Sequence, residues 1–267
     1  MITVDFDPVL LSLGPLQVRW YGLMYMVGFF VGGQLLNKLA SENIFSPGKK
    51  RVDSLVMHLI IGMLIGARLA YVFIYNWGYY QNHLGEIFAV WQGGLSFHGA
   101  ITGMAVACII FSKKHKVSPL EVTDACVVAG AQGIFFGRMG NFINGELFGR
   151  VTNSSVGMIF KNGGPMPRHA SQLYEGISEG LILWFILWML RKKVSHYGVL
   201  TAIFLSGYGV FRFIVEYFRE PDTQLGYYFG GALTMGQILC LVQIVAGLTV
   251  MFLFRSKESL QRKAVAA

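Results

Sequence analysis

The chain has 267 residues, of which 54% are hydrophobic and only 13% charged. Soluble domains carry about 25% charged residues, so the composition excludes an ordinary soluble domain and points to an integral membrane protein. The net charge of +8 raises the question of nucleic acid, but the placement of the basic residues answers it differently.

The opening stretch MITVDFDPVLLSLGP lacks a basic n-region and a cleavage site, and no signal peptide is expected there. Seven apolar runs of roughly 20 residues follow, the length a bilayer requires. They lie at about 17–38, 54–75, 90–111, 119–138, 171–190, 198–218 and 234–254. The expected fold is all-α: a single membrane domain over residues 1–267 with seven transmembrane helices. Ser118, Pro119 and Glu121 read as a capping box with proline at the first helical position, opening span four. A Gly-, Asn- and Ser-rich connection at about 139–170 reads as a small ordered cap. The end, SKESLQRKAVAA, reads as a frayed tail.

Alternate connections hold Lys38, Lys49, Lys50 and Arg51; Lys113, Lys114 and Lys116; Arg191, Lys192 and Lys193; and Arg255, Lys257, Arg262 and Lys263. These are fourteen of the twenty-two basic residues, on one side of seven spans. Positive loops stay cytoplasmic. The N-terminus and the cap are therefore expected outside and the C-terminus inside, and the basic balance is topology, with no nucleic-acid partner. Cys108, Cys126 and Cys240 sit in apolar runs without CxxC spacing and read as small core residues.

Several remaining polar residues fall within spans. A membrane-buried arginine costs roughly 2.5–3.5 kcal/mol on the lenient insertion scale, and such residues normally face the bundle interior. Tyr21, Arg68, His98, Arg138 and Arg212 come from five spans and share one outer-half depth, which implies a polar cavity open to the outside or the outer leaflet. Arg212, Glu216 and Arg219, in FRFIVEYFRE, follow one another at i, i+4 and i+7 on one helical face. One reading is a carboxylate holding two guanidiniums ready for an anion; the other is a structural ion pair with a snorkelling terminal arginine. Arg212 is too deep to snorkel easily. His98, flanked by glycines, reads as a functional group or as a histidine bonded to a backbone carbonyl. Arg68 reads as functional or as a structural bridge to an inward carboxylate. Glu175 and Glu179 are candidate structural partners for the arginines. Arg168 and His169 on the cap could bind an anion or solvate a turn. There is no HExxH, no Cys/His ligand cluster, no GxSxG elbow and no P-loop, so no metal and no cofactor is implied.

The segment GRMGNFINGELFG, residues 137–149, resembles the signature of the bacterial prolipoprotein diacylglyceryl transferases. WYGLMY, GARLAYV, GGLSFHG, RHASQLYE and YGVFRFIVEYFREPD resemble further segments of that family in the same order, so the resemblance runs from about residue 5 to 255. One departure is Ala170, where the family usually has proline after the histidine. The resemblance implies a seven-helix enzyme of the bacterial inner membrane, reached from the periplasmic side. It implies transfer of the diacylglyceryl group of phosphatidylglycerol to the lipobox cysteine of a prolipoprotein, as a thioether, with glycerol 1-phosphate leaving. The expected partners are phosphatidylglycerol, prolipoprotein signal peptides and the surrounding membrane lipids.

That chemistry needs a base, or a field favouring thiolate, and cations around a phosphate that gains charge as it leaves. Arginine stays charged and binds phosphate oxygens bidentately. Arg138 and Arg212 are the candidates to hold the phosphate, and His98 the candidate to accept the cysteine proton. Tyr21 is expected to orient a phosphate or glycerol oxygen. Asn141, Asn144 and Glu146 are expected to satisfy irregular backbone while lining a headgroup site, since such backbone survives at membrane depth only when buried or lining a cavity. Gly149 would allow tight loop packing, and Glu216 would orient Arg212 and Arg219. The rival functions are a lipid flippase with an arginine-lined anion site and a purely structural membrane subunit. Transporters often carry repeated halves, and none is visible here.

Overall fold

The computed structural model of the chain describes residues 2–14, 16–220, 227–228 and 231–255. The expected tail, with Lys257, Arg262 and Lys263, and the end of FREPD lie outside them. Strands β1 (Ile2–Val4), β2 (Val9–Leu13) and β3 (Leu16–Arg19) lead into helix α1 (Trp20–Ser41). Helix α2 (Val52–Ala70) continues through a π-helical turn, Tyr71–Tyr75, to the short α3 (Trp77–Tyr80). Then come α4 (Phe97–His115), α5 (Pro119–Gly130), α6 (Gln132–Ile143) and strand β4 (Met158–Phe160). Helix α7 (Ser171–Glu175), a π-helical segment (Gly176–Ile182) and α8 (Leu183–Leu190) run on into one another, and α9 (Val199–Val215) and α10 (Met235–Arg255) follow.

The runs Lys49–Tyr75, Ser171–Leu190 and Met235–Arg255 are long and apolar enough to cross a bilayer, and α5 with α6 makes a fourth if the bent pair is one broken span. Helix α9 is apolar but shorter. The chain is thus a mostly helical membrane protein. Contacts gather it into two compact units, Met1–Leu35 with Cys126–Ala267, and Leu36–Ala125.

Three elements differ from the sequence expectation, each for a visible reason. The apolar run expected from residue 90 makes a single 3₁₀ turn, Val90–Gln92, and becomes α-helical only at Phe97. Gly93 and Gly94 hold φ of 85° and 75°, and Ser96 caps the helix by accepting from the Gly99 N–H at 3.2 Å. The run expected over 119–138 bends by 44° after Gly130 and stays helical to Ile143. Buried Gln132 donates to the Ala129 carbonyl, satisfying backbone at the bend, and to the Gly28 carbonyl of α1, both at 3.1 Å. Glu121 does not close a local capping box with its side chain; its Oε1 accepts instead from the Ser46 N–H at 2.7 Å.

In the unit Leu36–Ala125, α2 and α4 pack backbone to backbone. A methyl added at Gly62 would lie 2.6 Å from the Gly103 carbonyl oxygen, and one at Gly66, Gly99 or Gly103 would overlap the facing helix more severely. Small residues let membrane helices approach this closely, where van der Waals packing replaces a hydrophobic driving force. Arg68, only 5% exposed, turns its fork onto the loop after α3. Its Nε donates to Ile87 O, Nη2 to Glu86 O and Nη1 to Gly93 O, each at 2.7 Å, and Nη1 also donates to Gly94 O at 3.1 Å. Of the two readings of Arg68 the structural one fits, with backbone carbonyls in place of the inward carboxylate, and the side chain holds this loop.

In the unit that contains the cap, β1 pairs in parallel with β4, Ile2 opposite Met158 and Val4 opposite Phe160. Val4, Phe160 and Ala170 form a small core, with Phe142, Phe148, Met158 and Leu173 packed on it. Ala170 holds φ −77°, within the range a proline ring imposes, so alanine keeps the backbone course at the position where the resembling family has proline. Because Gly103 faces backbone, Gly103→Val is expected to destabilise the protein by about 3 kcal/mol. Gly78→Ala, which meets nothing within 4 Å, should leave thermal unfolding in detergent unchanged.

Candidate active site

The centre of the site is Glu175, the last residue of α7, which is wholly buried. Its Oε2 lies 2.5 Å from Arg138 Nη2 of α6, and its Oε1 lies 2.8 Å from Arg219 Nη1 and 3.9 Å from Arg212 Nη1 of α9. A second carboxylate, Glu216, closes the group from behind. Its Oε2 sits 2.8 Å from Arg212 Nη1 and 3.5 Å from Arg219 Nε, and its Oε1 accepts from the Thr234 hydroxyl at 3.1 Å. Three guanidiniums thus converge on two carboxylates. The arginine side chains keep 16–20% exposure, whereas the carboxylates are almost fully enclosed, so the cationic side of the cluster is the more open one. Such an array presents fixed positive charge to an anion with little reorganisation.

Close backbone contacts position these groups. A methyl on Gly176 would come within 3.3 Å of Arg138 Cβ, and one on Gly180 within 2.6 Å of Phe135 N, so α6 lies directly against the π-helical segment. Gly149 packs so closely on the Phe218 carbonyl and on His169 that no side chain fits. It forms an antiparallel bridge with Arg219, and Arg150 Nε donates to the Arg219 carbonyl at 2.6 Å. Gly149 is therefore part of the seat of Arg219.

The signature asparagines are arranged around one acceptor. Asn141 Nδ2 and Asn144 Nδ2 donate to Glu146 Oε1 at 2.9 and 3.2 Å. Asn141 is still within α6 and Asn144 follows it directly, so the irregular backbone begins later than expected, at Gly145 and Leu147, with φ of 63° and 57°. Gln172 Nε2 and Ser171 Oγ fasten that turn by donating to the carbonyls of Glu146 and Leu147 at 2.7 and 3.0 Å. Asn144 and Gly145 also line a cleft of about 500 Å³ with Asp5, Asp7, Lys161 and Asn162. Tyr21 packs its ring on Gly140, meets the Tyr25 hydroxyl at 3.1 Å, and interacts electrostatically with both Arg138 and Glu146.

The structure thus brings together Tyr21, Arg138, Asn141, Asn144, Glu146, Gly149, Arg212, Glu216 and Arg219 in one unit. His98 stands in the other unit, on the first turn of α4, exposed, with Nδ1 3.2 Å from the Tyr75 hydroxyl. Arg168 is committed to structure: it donates to the Gly163 and Gly149 carbonyls and pairs with Glu220 at 2.8 Å. His169 lies between the rings of Tyr174 and Phe218, where burial pushes its imidazole below the usual histidine range. Among the described residues no three His, Cys, Asp or Glu side chains gather as metal ligands. Sequence reasoning proposed Glu175 only as a structural partner and did not identify Gln172. The signal for Glu175 was its burial-prone place in SQLYEGISEG; nothing in the spacing marked it as the meeting point of three arginines.

A helical membrane chain with a buried arginine–carboxylate cluster is the class that this fold and site define. The model of the family described as prolipoprotein diacylglyceryl transferase matches residues 8–253, and the chain belongs to that family. A phosphatidylglycerol–prolipoprotein diacylglyceryl transferase of Desulfotalea psychrophila is 46% identical over 92% of this chain and 92% of its own. One of Nitratidesulfovibrio vulgaris strain DP4 is 45% identical over 91% and 92%, and one of Pseudomonas paraeruginosa 43% over 97% and 98%.

Replacing Glu175 with glutamine leaves three guanidiniums facing one remaining carboxylate. Breaking a buried ion pair costs roughly 3–5 kcal/mol, so Glu175→Gln should show a clear loss of thermal stability in detergent, larger than Glu146→Gln at an exposed position. His169 contributes in the opposite pH sense to a paired histidine. Its neutral form is favoured in the fold, so stability is full above the ordinary histidine value of about 6.5 and declines as the pH falls through it. His169→Gln should flatten that acid decline in a thermal-shift series.

Proposed function

We propose that this chain transfers the diacylglyceryl group of phosphatidylglycerol to the lipobox cysteine of a prolipoprotein. The observation that carries this reading is the convergence of Arg138, Arg212 and Arg219 on Glu175, in a chain whose relatives bear that activity in their names. The cysteine sulfur attacks the glycerol carbon next to the phosphate. A carbon–sulfur bond forms, the carbon–oxygen bond breaks, and its electron pair stays on the phosphate oxygen of the departing glycerol 1-phosphate. Arg138 and Arg212 bind the phosphate and stabilise the charge it gains. Arg219, joined to the cap through Gly149, completes the clamp, and Glu216 holds Arg212 and Arg219 in register. Tyr21, with Asn141, Asn144 and Glu146, serves the headgroup oxygens. His98 takes the thiol proton. The product is a neutral thioether.

The same reading places the chain in the bacterial inner membrane as one domain of seven spans. Its N-terminus and cap are periplasmic and its C-terminus cytoplasmic, as the alternation of basic loops supports. Both substrates are amphiphiles and enter from the membrane.

The test is transfer of radiolabelled diacylglyceryl from phosphatidylglycerol to a lipobox peptide by the purified protein. Wild type should form a labelled thioether. Arg138→Ala and Arg212→Ala should each lose about 10²–10³-fold in kcat, the scale of one removed charge-stabilising donor group. His98→Gln should lose a similar factor, and a near-normal rate would remove it from the base role. Relocated but unmodified lipid would replace the transferase with a flippase.

A further inference from the structure

Glu179 stands beyond Glu175 on the π-helical segment Gly176–Ile182. It too is wholly buried, yet neither of its carboxyl oxygens has a hydrogen-bond partner among the described residues. Through space Arg138 from α6, Arg212 from α9 and Arg219 beyond it favour a charged Glu179, Glu175 on its own helix opposes it, and Tyr208 of α9 and Cys240 of α10 face the same interior. The ion pairs of those three arginines go to Glu175 and Glu216. An ionised Glu179 would be stripped of water with no hydrogen bond to it, a cost that guanidiniums already paired with Glu175 and Glu216 offset only in part. It would also stand beside the negative charge of Glu175, and two carboxylates sharing a site resist double ionisation. A neutral carboxylic acid escapes the repulsion and lowers the burial cost to that of an uncharged polar group.

We propose that Glu179 is a positioning residue held as a neutral carboxylic acid, and that it thereby sets the charge of the buried cluster for a lipid headgroup with one negative charge. Arg138, Arg212 and Arg219 against Glu175 and Glu216 leave one net positive charge. An ionised Glu179 would cancel it and remove the electrostatic preference for an anionic phosphodiester over a zwitterionic one. Glu146 lies outside this balance, since it is exposed, bonded to Asn141 and Asn144, and screened by water and salt. The inference rests on the transferase reading for its ligand, but the protonation state of Glu179 can be read without any turnover.

The test is infrared spectroscopy of the purified protein at about pH 8, far above the ordinary glutamate range, together with KM for phosphatidylglycerol. Wild type should show a carboxylic-acid carbonyl stretch that shifts in D2O and disappears in Glu179→Gln. The KM of Glu179→Gln should stay within about twofold of wild type, because one neutral group replaces another. Removal of an ionised Glu179 would instead add a positive charge and lower KM by about tenfold or more. That fall overturns the proposal, as does the absence of an acid band in wild type. If the glutamine variant does not fold, Glu179→Leu carries the same two readouts, and a wild-type spectrum without an acid band overturns the proposal whatever the variants do. Failure of wild type to transfer label at all would sink the transferase reading while leaving the acid band to be scored.

Discussion

A single carboxylate, Glu175, makes the rest of the site possible. Three guanidiniums repel one another, and out of water that repulsion grows as the local dielectric falls. A fully buried carboxylate between them turns repulsion into a joint ion pair, with contacts to Arg138, Arg212 and Arg219. Glu216 does the same from the other side for the two arginines of its own segment. Two anions for three cations is an unequal arrangement, which under the proposed neutrality of Glu179 leaves one positive charge for an incoming anion.

That arrangement depends on how near the helices can come. Gly176 and Gly180 let the π-helical segment lie on α6, and without them Arg138 would be held away from Glu175. The other unit uses the same device for a different end: Gly62, Gly66, Gly99 and Gly103 bring α2 and α4 together, and Arg68 ties down the loop between them. In a bilayer, where lipid tails and side chains are equally apolar, small residues thus do for both units what a hydrophobic driving force does in water.

Part of this was readable from the chain alone. Arg212, Glu216 and Arg219 carry their relation in their spacing, and the structure joins them through Glu216 although the regular helix ends at Val215. The grouping of Asn141, Asn144 and Glu146 was readable as polar chemistry at the end of an apolar run. Glu175 was readable as a partner for the arginines, but not as the one point where three of them meet, because that point joins segments far apart in the chain. Nor were the partners of Arg68, since backbone carbonyls have no letter in the sequence. The late start of α4 was hidden for a related reason. Val90 and Trp91 raise the hydropathy of a stretch that is exposed and mostly irregular, and only the paired glycines mark where it turns. The bend after Gly130 had no proline to announce it.

Arg219 belongs to two structures at once. Its guanidinium lies in the buried cluster, while its backbone is paired with Gly149 and held by Arg150. The cap is therefore not a separable cover. A lengthening or shortening of the chain between Gly149 and Arg168, unless absorbed at the exposed turn around residues 153–156, would be passed to the strand register and so to the position of one guanidinium. The loop behaves as a ruler for the buried cluster, which makes its length, as much as its composition, a quantity under constraint.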